Sequence, residues 1–342
     1  MAKDIIDKSE LNSIKSILIL GHSNIGDVCY DLAVVEPIRK YFPRSKIAFL
    51  TSPKAKDIIE VYGGIYKTVI LDKRNKHKGL FKRIRFSNSL NKERFDLIVV
   101  LNSTLMQVFL KSMYIWDIYH TLKADFASFK KHPVDIYLKY LRSKGLDIAG
   151  PEFNFVLDKK KKFCDDFLEE NGVKPGDKLV GIMPMAAWAF KNWPVGSWNE
   201  LAGVLKREYG IKTIAFGRSG SGNFSQSVIK NISPEIISSI DKTDLGEALA
   251  LIKYCDIFIG PDSSLLHLAS CLNVESIGLY GPTPPDYVYP YFHRNNLICA
   301  DVKCQDNVVL NKSKANDGRD RDSMRKIPVN QVLEMVKSRM SI

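Results

Sequence analysis

Short apolar runs rich in Val, Ile and Leu recur at residues 17–20, 46–51, 69–71 and 97–101. They return at 179–183, 213–216, 236–240, 256–259 and 276–280. Runs of this length, punctuated by glycine, proline and polar residues, predict strands buried on both faces. Between them the apolar period changes. Val28, Leu32, Val35, Ile38 and Phe42 follow the 3.6-residue repeat of a helix, as do Leu201, Val204 and Leu205 after Trp198. Strand alternating with helix, twice over, predicts an α/β protein with parallel sheets covered by helices.

The two series are separated by residues 155–177, which hold a lysine run, an amphipathic stretch and then Gly172, Pro175 and Gly176. Glycine and proline there signal a turn before a new series of strands. The expected division is a first domain over 1–165, a second over 166–326, and a helix over 327–342 that packs back on the first domain. The polar stretch 311–326 reads as an exposed, mobile connector. No repeat of 20–50 residues is visible.

The unusual sequences all follow predicted strands. GHSNIGD comes after SILIL, MPMAAWAFKNWP after LVGI, GRSGSGN after TIAF, GPDSSLLHLAS after DIFI and GPTPPDY after SIGLY. Ligands of open parallel sheets bind beyond the carboxyl ends of the strands. One such loop from the first series and four from the second predict a ligand cleft between two sheets.

In the first loop, Gly21 and Gly26 have the spacing of a phosphate-binding P-loop. Asp27 and Val28 stand where that motif needs Lys and Ser or Thr, which excludes it. What remains is a tight turn with Asp27 at a helix start. Two readings stand side by side: a proton acceptor for a hydroxyl, or a cap for the helix N–H groups. His22 is a second candidate base or acceptor contact, and Asn102, just past the fourth run, joins the candidate acceptor set.

The second domain carries groups suited to an anion. Asp262, Ser263 and Ser264 are strong helix-capping types, and exposed N–H groups at a helix start bind phosphate. His267 follows within the same helix. Lys191 is the one charge in MPMAAWAFKNWP and suits a diphosphate. Trp188 and Trp193 are candidates for stacking on a base or sugar, while Trp198 falls on a helical core position. Thr283, in the stiff GPTPP turn, is placed to complete a phosphate nest.

Charge widens the picture. Among 342 residues, 50 Lys and Arg oppose 38 Asp and Glu, a net charge of +12. Such a surplus points to anionic partners. It gathers in residues 72–94, where Lys82, Arg83 and Arg85 interleave with Leu80, Phe81, Ile84 and Phe86. That mixture suits an anionic, partly greasy surface such as a phosphorylated glycolipid. Nucleic acid is the rival, but no nucleic-acid motif appears. Hydrophobic residues make up 45% and charged residues 26%, which excludes global disorder. No apolar run reaches the length of a membrane span, and the polar N-terminus lacks a secretory pattern, so a cytoplasmic protein is expected. The six cysteines, Cys29, Cys164, Cys255, Cys271, Cys299 and Cys304, form no CxxC pair, and no metal site is expected. Cys29, Cys255 and Cys271 read as core residues. Cys299 and Cys304 are near neighbours, expected as thiols in a reducing compartment.

Taken in order, GD near the N-terminus, K-x-W-P, G-P-D-S-x-x-x-H-L-A and G-P-T resemble the bacterial heptosyltransferases of lipopolysaccharide synthesis, glycosyltransferase family 9. The resemblance runs from about Ser16 to Pro284. It implies the GT-B fold of two Rossmann-like domains facing across a cleft. It also implies an inverting transfer of heptose or a related sugar from a nucleotide diphosphate donor, usually ADP-linked, to a glycolipid acceptor at the inner membrane surface. No metal and no cofactor are implied. By the same resemblance Asp27 is the base, Lys191 contacts the donor phosphates, and Asp262, Ser263 and His267 border the diphosphate. Ser263-Ser264 stand where the family has Thr-Gly, and GRSGSGN lacks the family's ribose-gripping glutamate. The alternatives are a nucleotide-sugar epimerase of the same fold and a non-catalytic nucleotide- or nucleic-acid-binding protein.

Overall fold

The structure, a computed structural model, describes residues 3–104, 106–220, 223–300 and 322–342. It divides into two compact units, Met1–Val156 and Leu157–Ile342. In the first, β1 (Ser16–Leu20), β2 (Lys46–Thr51), β3 (Ile65–Ile70), β4 (Leu97–Val100) and β5 (Tyr114–Asp117) form a parallel sheet ordered β3-β2-β1-β4-β5. Register aligns Ile17 with both Ile47 and Leu97. Alternate side chains then leave opposite faces. Leu18, Leu20, Ala48, Leu50, Ile98 and Val100 enter one core, and Ile17, Ile19, Phe49 and Val99 are equally buried. That two-sided burial is why these strands read as continuous apolar runs. Val28, Leu32, Val35 and Ile38 are wholly buried, as their helical spacing requires.

The second unit repeats the plan with β6 (Leu179–Ile182), β7 (Lys212–Ala215), β8 (Ile237–Ser238), β9 (Ile257–Pro261), β10 (Glu275–Tyr280) and β11 (Leu297–Cys299). All pairings are parallel, in the order β11-β10-β9-β6-β7-β8. Both sheets are therefore Rossmann-like. Each also has one place where the strand order reverses. In the first it lies between β1 and β4, in the second between β6 and β9. Such switch points are where open α/β sheets accept ligands.

Several expectations change. β5 and β11 escape the sequence reading because one is half polar and the other only three residues long. The unit boundary falls at Val156, ahead of the expected 165. The helix Lys161–Glu170 explains this: its Cys164, Phe167 and Leu168 are buried, and it packs on the helix Leu245–Ile252 of the second unit. The last helix, Val329–Met340, also belongs to the second unit rather than returning to the first. Val332 and Val336 are wholly buried in the second core, against the helix Val195–Tyr209. The basic stretch is partly a helix, Leu80–Leu90, entered through Gly79 at φ +91°, where glycine is favoured. Cys29, Cys164, Cys255 and Cys271 are buried and Cys299 is exposed. Cys304 and residues 311–321 of the expected connector lie outside the described residues, but its end is not an exposed link: Ser323–Lys326 forms a 3-10 turn with Ser323 and Met324 buried.

Candidate active site

In the second unit, chemistry gathers at the reversal between β6 and β9. Lys191 ends a short 3-10 turn, Ala189–Lys191, that follows β6. Its ammonium pairs with the Asp262 carboxylate just past β9 and also donates to the Asp262 carbonyl at 3.2 Å. From the next helix, His267 Nε2 donates to Asp262 Oδ1 at 3.0 Å. Burial alone would push the Asp262 carboxyl up. The His267 bond and the Lys191 charge outweigh it and hold that carboxyl well below the usual range. Asp262 is thus a fixed anion that locates a cation and an imidazole.

The helix Ser264–Cys271 starts beside this cluster. Ser263 occupies its cap position, yet the side chain makes no capping bond. Helix-start N–H groups and two serine hydroxyls therefore lie next to Lys191, an arrangement that attracts anions. Thr283 follows β10, the sheet neighbour of β9, and its hydroxyl is buried with no hydrogen-bond partner among the described residues. A buried orphan hydroxyl is costly unless something meets it. Trp188 is partly exposed, with Lys191 Nζ 6.0 Å from its ring centre. Trp193 is not a stacking platform. It is buried edge-on against Trp198 at 4.9 Å and donates from Nε1 to the Ile327 carbonyl. After β7, the Ser219 N–H donates to Asp241 Oδ1 at 2.8 Å. An acidic group does therefore stand at this edge, delivered by the following loop and invisible in GRSGSGN itself.

In the first unit the reversal lies between β1 and β4. Gly21 is required there: a Cβ would collide with the Phe49 ring and press on Asp31 Oδ2. Asp27 stands in the first turn of the helix Ile25–Asp31, whose cap position is Asn24. Its carboxylate is exposed and accepts from the Asn24 amide at 3.0 Å. Among the described residues its hydrogen-bond partner is that side chain rather than a helix N–H group. His22, on the preceding loop, donates from Nδ1 to Asp31 Oδ1 at 2.8 Å, and its backbone N–H donates to Oδ2 at 2.6 Å. Tyr137 adds a third bond to Asp31 at 3.1 Å. Asn102 braces the glycine turn, donating to the Gly21 and Leu20 carbonyls, while its buried Oδ1 has no partner among the described residues.

The basic residues separate. Arg83 lines a cavity of about 180 Å³ with Lys73, Ser103, Thr104, Met106 and Phe109. Burial, then the Arg83 charge, push the Lys73 ammonium below the usual lysine range. An anion entering this cavity would relieve both effects. Lys82 and Arg85 are exposed and do not line it. Sequence reasoning missed Asp31 and Asp241, and it had Lys73 only as part of the basic stretch. Lys73 at least follows a predicted strand, the position that singled out the other loops. Among the described residues no cluster of His, Cys, Asp and Glu has the makings of a metal site.

Two Rossmann-like units, each with charged loops at its switch point, give the chain a fold of the GT-B type. The particular family follows from its sequence. The model of glycosyltransferase family 9 (heptosyltransferase) matches residues 83–316, and the chain belongs to that family. It is a glycosyltransferase, and membership sets the epimerase and non-catalytic alternatives aside. The lipopolysaccharide core heptosyltransferase OpsX of Haemophilus influenzae is 24% identical over 83% of this chain and 84% of its own. A family 9 glycosyltransferase from Veillonella parvula superposes with TM-score 0.74 at 20% identity, covering 96% of this chain and 97% of the other. The ADP-heptose lipopolysaccharide heptosyltransferase II of Escherichia coli gives 0.71 at 18% identity, covering 95% and 98%.

Proposed function

We propose that the protein transfers heptose, with inversion, from ADP-heptose to a lipopolysaccharide-core acceptor. The Lys191–Asp262–His267 cluster at the switch point of a family 9 chain carries this reading. Lys191, Ser263, Ser264 and the helix start take the donor diphosphate, and Thr283 completes its oxygen contacts. As the anomeric C–O bond breaks, charge grows on the diphosphate, and these fixed donors stabilise it without a metal. No resident cofactor is needed. In the first unit Asp27 draws the proton from the acceptor hydroxyl, and an oxocarbenium-like transition state collapses to the inverted product. The Lys73–Arg83 cavity, with Ser103 and Thr104, takes an anionic group of the acceptor. Lys82 and Arg85 meet the charged headgroups around it, on the inner face of the cytoplasmic membrane.

The test is direct. Purified protein, a core acceptor lacking its outermost heptose and either ADP-, UDP- or GDP-heptose are incubated, and products are read by mass spectrometry. Gain of one heptose with the ADP donor is expected. Transfer only from another nucleotide overturns the donor assignment. Asp27→Ala should lower kcat at least 100-fold with ADP affinity kept. Loss of both together would return Asp27 to a structural role.

A further inference from the structure

His22 is held more firmly than a loop contact needs. Asp31 is wholly buried and takes three donors: the His22 backbone N–H, His22 Nδ1 and the Tyr137 hydroxyl. Tyr137 comes from a separate helix, Pro133–Ser143. The arrangement fixes the ring's orientation and its tautomer, with hydrogen on Nδ1. The lone pair therefore sits on Nε2, which has no hydrogen-bond partner among the described residues. The imidazole is partly exposed, at 29%, while Asp31 is at 0%, so the ring spans from the core to the surface. A carboxylate behind one imidazole nitrogen, leaving the other for a reacting proton, is the logic of a base held by an orienting acid.

Taking glycosyl transfer with Asp27 beside the acceptor hydroxyl as given, we propose that the hydroxyl proton comes to rest on His22 Nε2, with Asp31 and Tyr137 as positioning residues. The hydroxyl O–H bond breaks through Asp27, and an N–H bond forms on His22. The oxygen bonds to the anomeric carbon, whose bond to the diphosphate breaks with its electron pair. Imidazole is ordinarily the better base than carboxylate by about two to three pK units. A proton on His22 leaves Asp27 ionised while positive charge builds at the anomeric carbon. A protonated Asp27 would offer that carbon no charge.

The groups facing His22 are consistent with this role. Burial disfavours its charged form, but the Asp31 charge and hydrogen bond, then the Asp27 charge, outweigh burial. Lys73 opposes them, and the balance raises the pKa. A raised value in a group that must be neutral to accept a proton gives a fall in activity on the acid side, centred above the ordinary histidine value. The experiment is a pH profile of kcat/KM for heptose transfer. His22→Gln should lower kcat at least tenfold and abolish that acid limb. Asp31→Asn should move the limb to lower pH, since the raising charge is gone. A His22→Gln profile that superimposes on the parent overturns the proposal, as does an Asp31→Asn loss equal at every pH. Should Asp31→Asn fail to fold, the His22→Gln profile decides alone. Full activity in Asp27→Ala would instead sink the Asp27 assignment, a separate failure.

Discussion

Lys191 and Asp262 show how one pair can serve both stability and binding. The Asp262 carboxylate is largely buried and balanced by Lys191 and His267. Removing one partner of such a pair leaves an uncompensated charge. Lys191→Ala should weaken ADP binding at least tenfold by calorimetry, about 1.4 kcal/mol, and also lower the melting temperature. Lys191→Ala with Asp262→Asn should recover most of the melting temperature but none of the affinity. Recovery of both would mean that Lys191 acts only on the fold. At this scale the sequence was informative where residue types were unusual for their place. A lysine among tryptophans and prolines, and Asp-Ser-Ser before an apolar helix, announce themselves. Asp31 does not: it lies four residues after Asp27 on a short helix, and nothing in the sequence marks it as the buried one. Its role depends on Tyr137, 106 positions away, a contact that no local pattern encodes.

Among the elements, the helix Leu80–Leu90 departs most from a solvated surface. Phe81 is 88% exposed and Leu80 53%, beside exposed Lys82 and Arg85. Apolar groups flanked by cations suit an anionic bilayer boundary, where burial and charge attraction add. Co-sedimentation with phosphatidylglycerol vesicles should therefore fall as salt rises. Phe81→Ser should weaken vesicle binding by about threefold to tenfold, a fraction of the value of fully burying the ring, while transfer to a short, lipid-free acceptor stays unchanged. Vesicle binding indifferent to both salt and Phe81 would dismiss this surface. Element identity was legible wherever both faces of a strand are buried, because continuous apolar runs result. Partner choice was less so. The repeat in residues 329–340 says that one face is covered, but not which unit covers it, and the answer came only from Val332 and Val336 in the second core.

For the molecule as a whole, the two sheets rest on separate cores. Leu18, Leu50 and Val100 belong to one, and Val180, Leu201 and Val332 to the other. The fold class followed from strand–helix alternation, and the notable loops all fall at the carboxyl ends of parallel strands, three of them at the switch points. Two cores make a calorimetric prediction. A ligand that binds only native protein stabilises it by mass action, by about 2.7 kcal/mol at a hundred times its Kd. With ADP in the second unit, as proposed, ADP should raise one unfolding transition and leave another in place. Val332→Ala, which opens a cavity worth about 2 kcal/mol, should lower the transition that ADP raises, and Leu50→Ala should lower the other. If ADP instead raised the transition assigned by Leu50→Ala, the donor site would have to be moved to the first unit. A single transition shifted by all three would mean that the units unfold as one, and the site would then have to be assigned by binding to the Lys191→Ala variant.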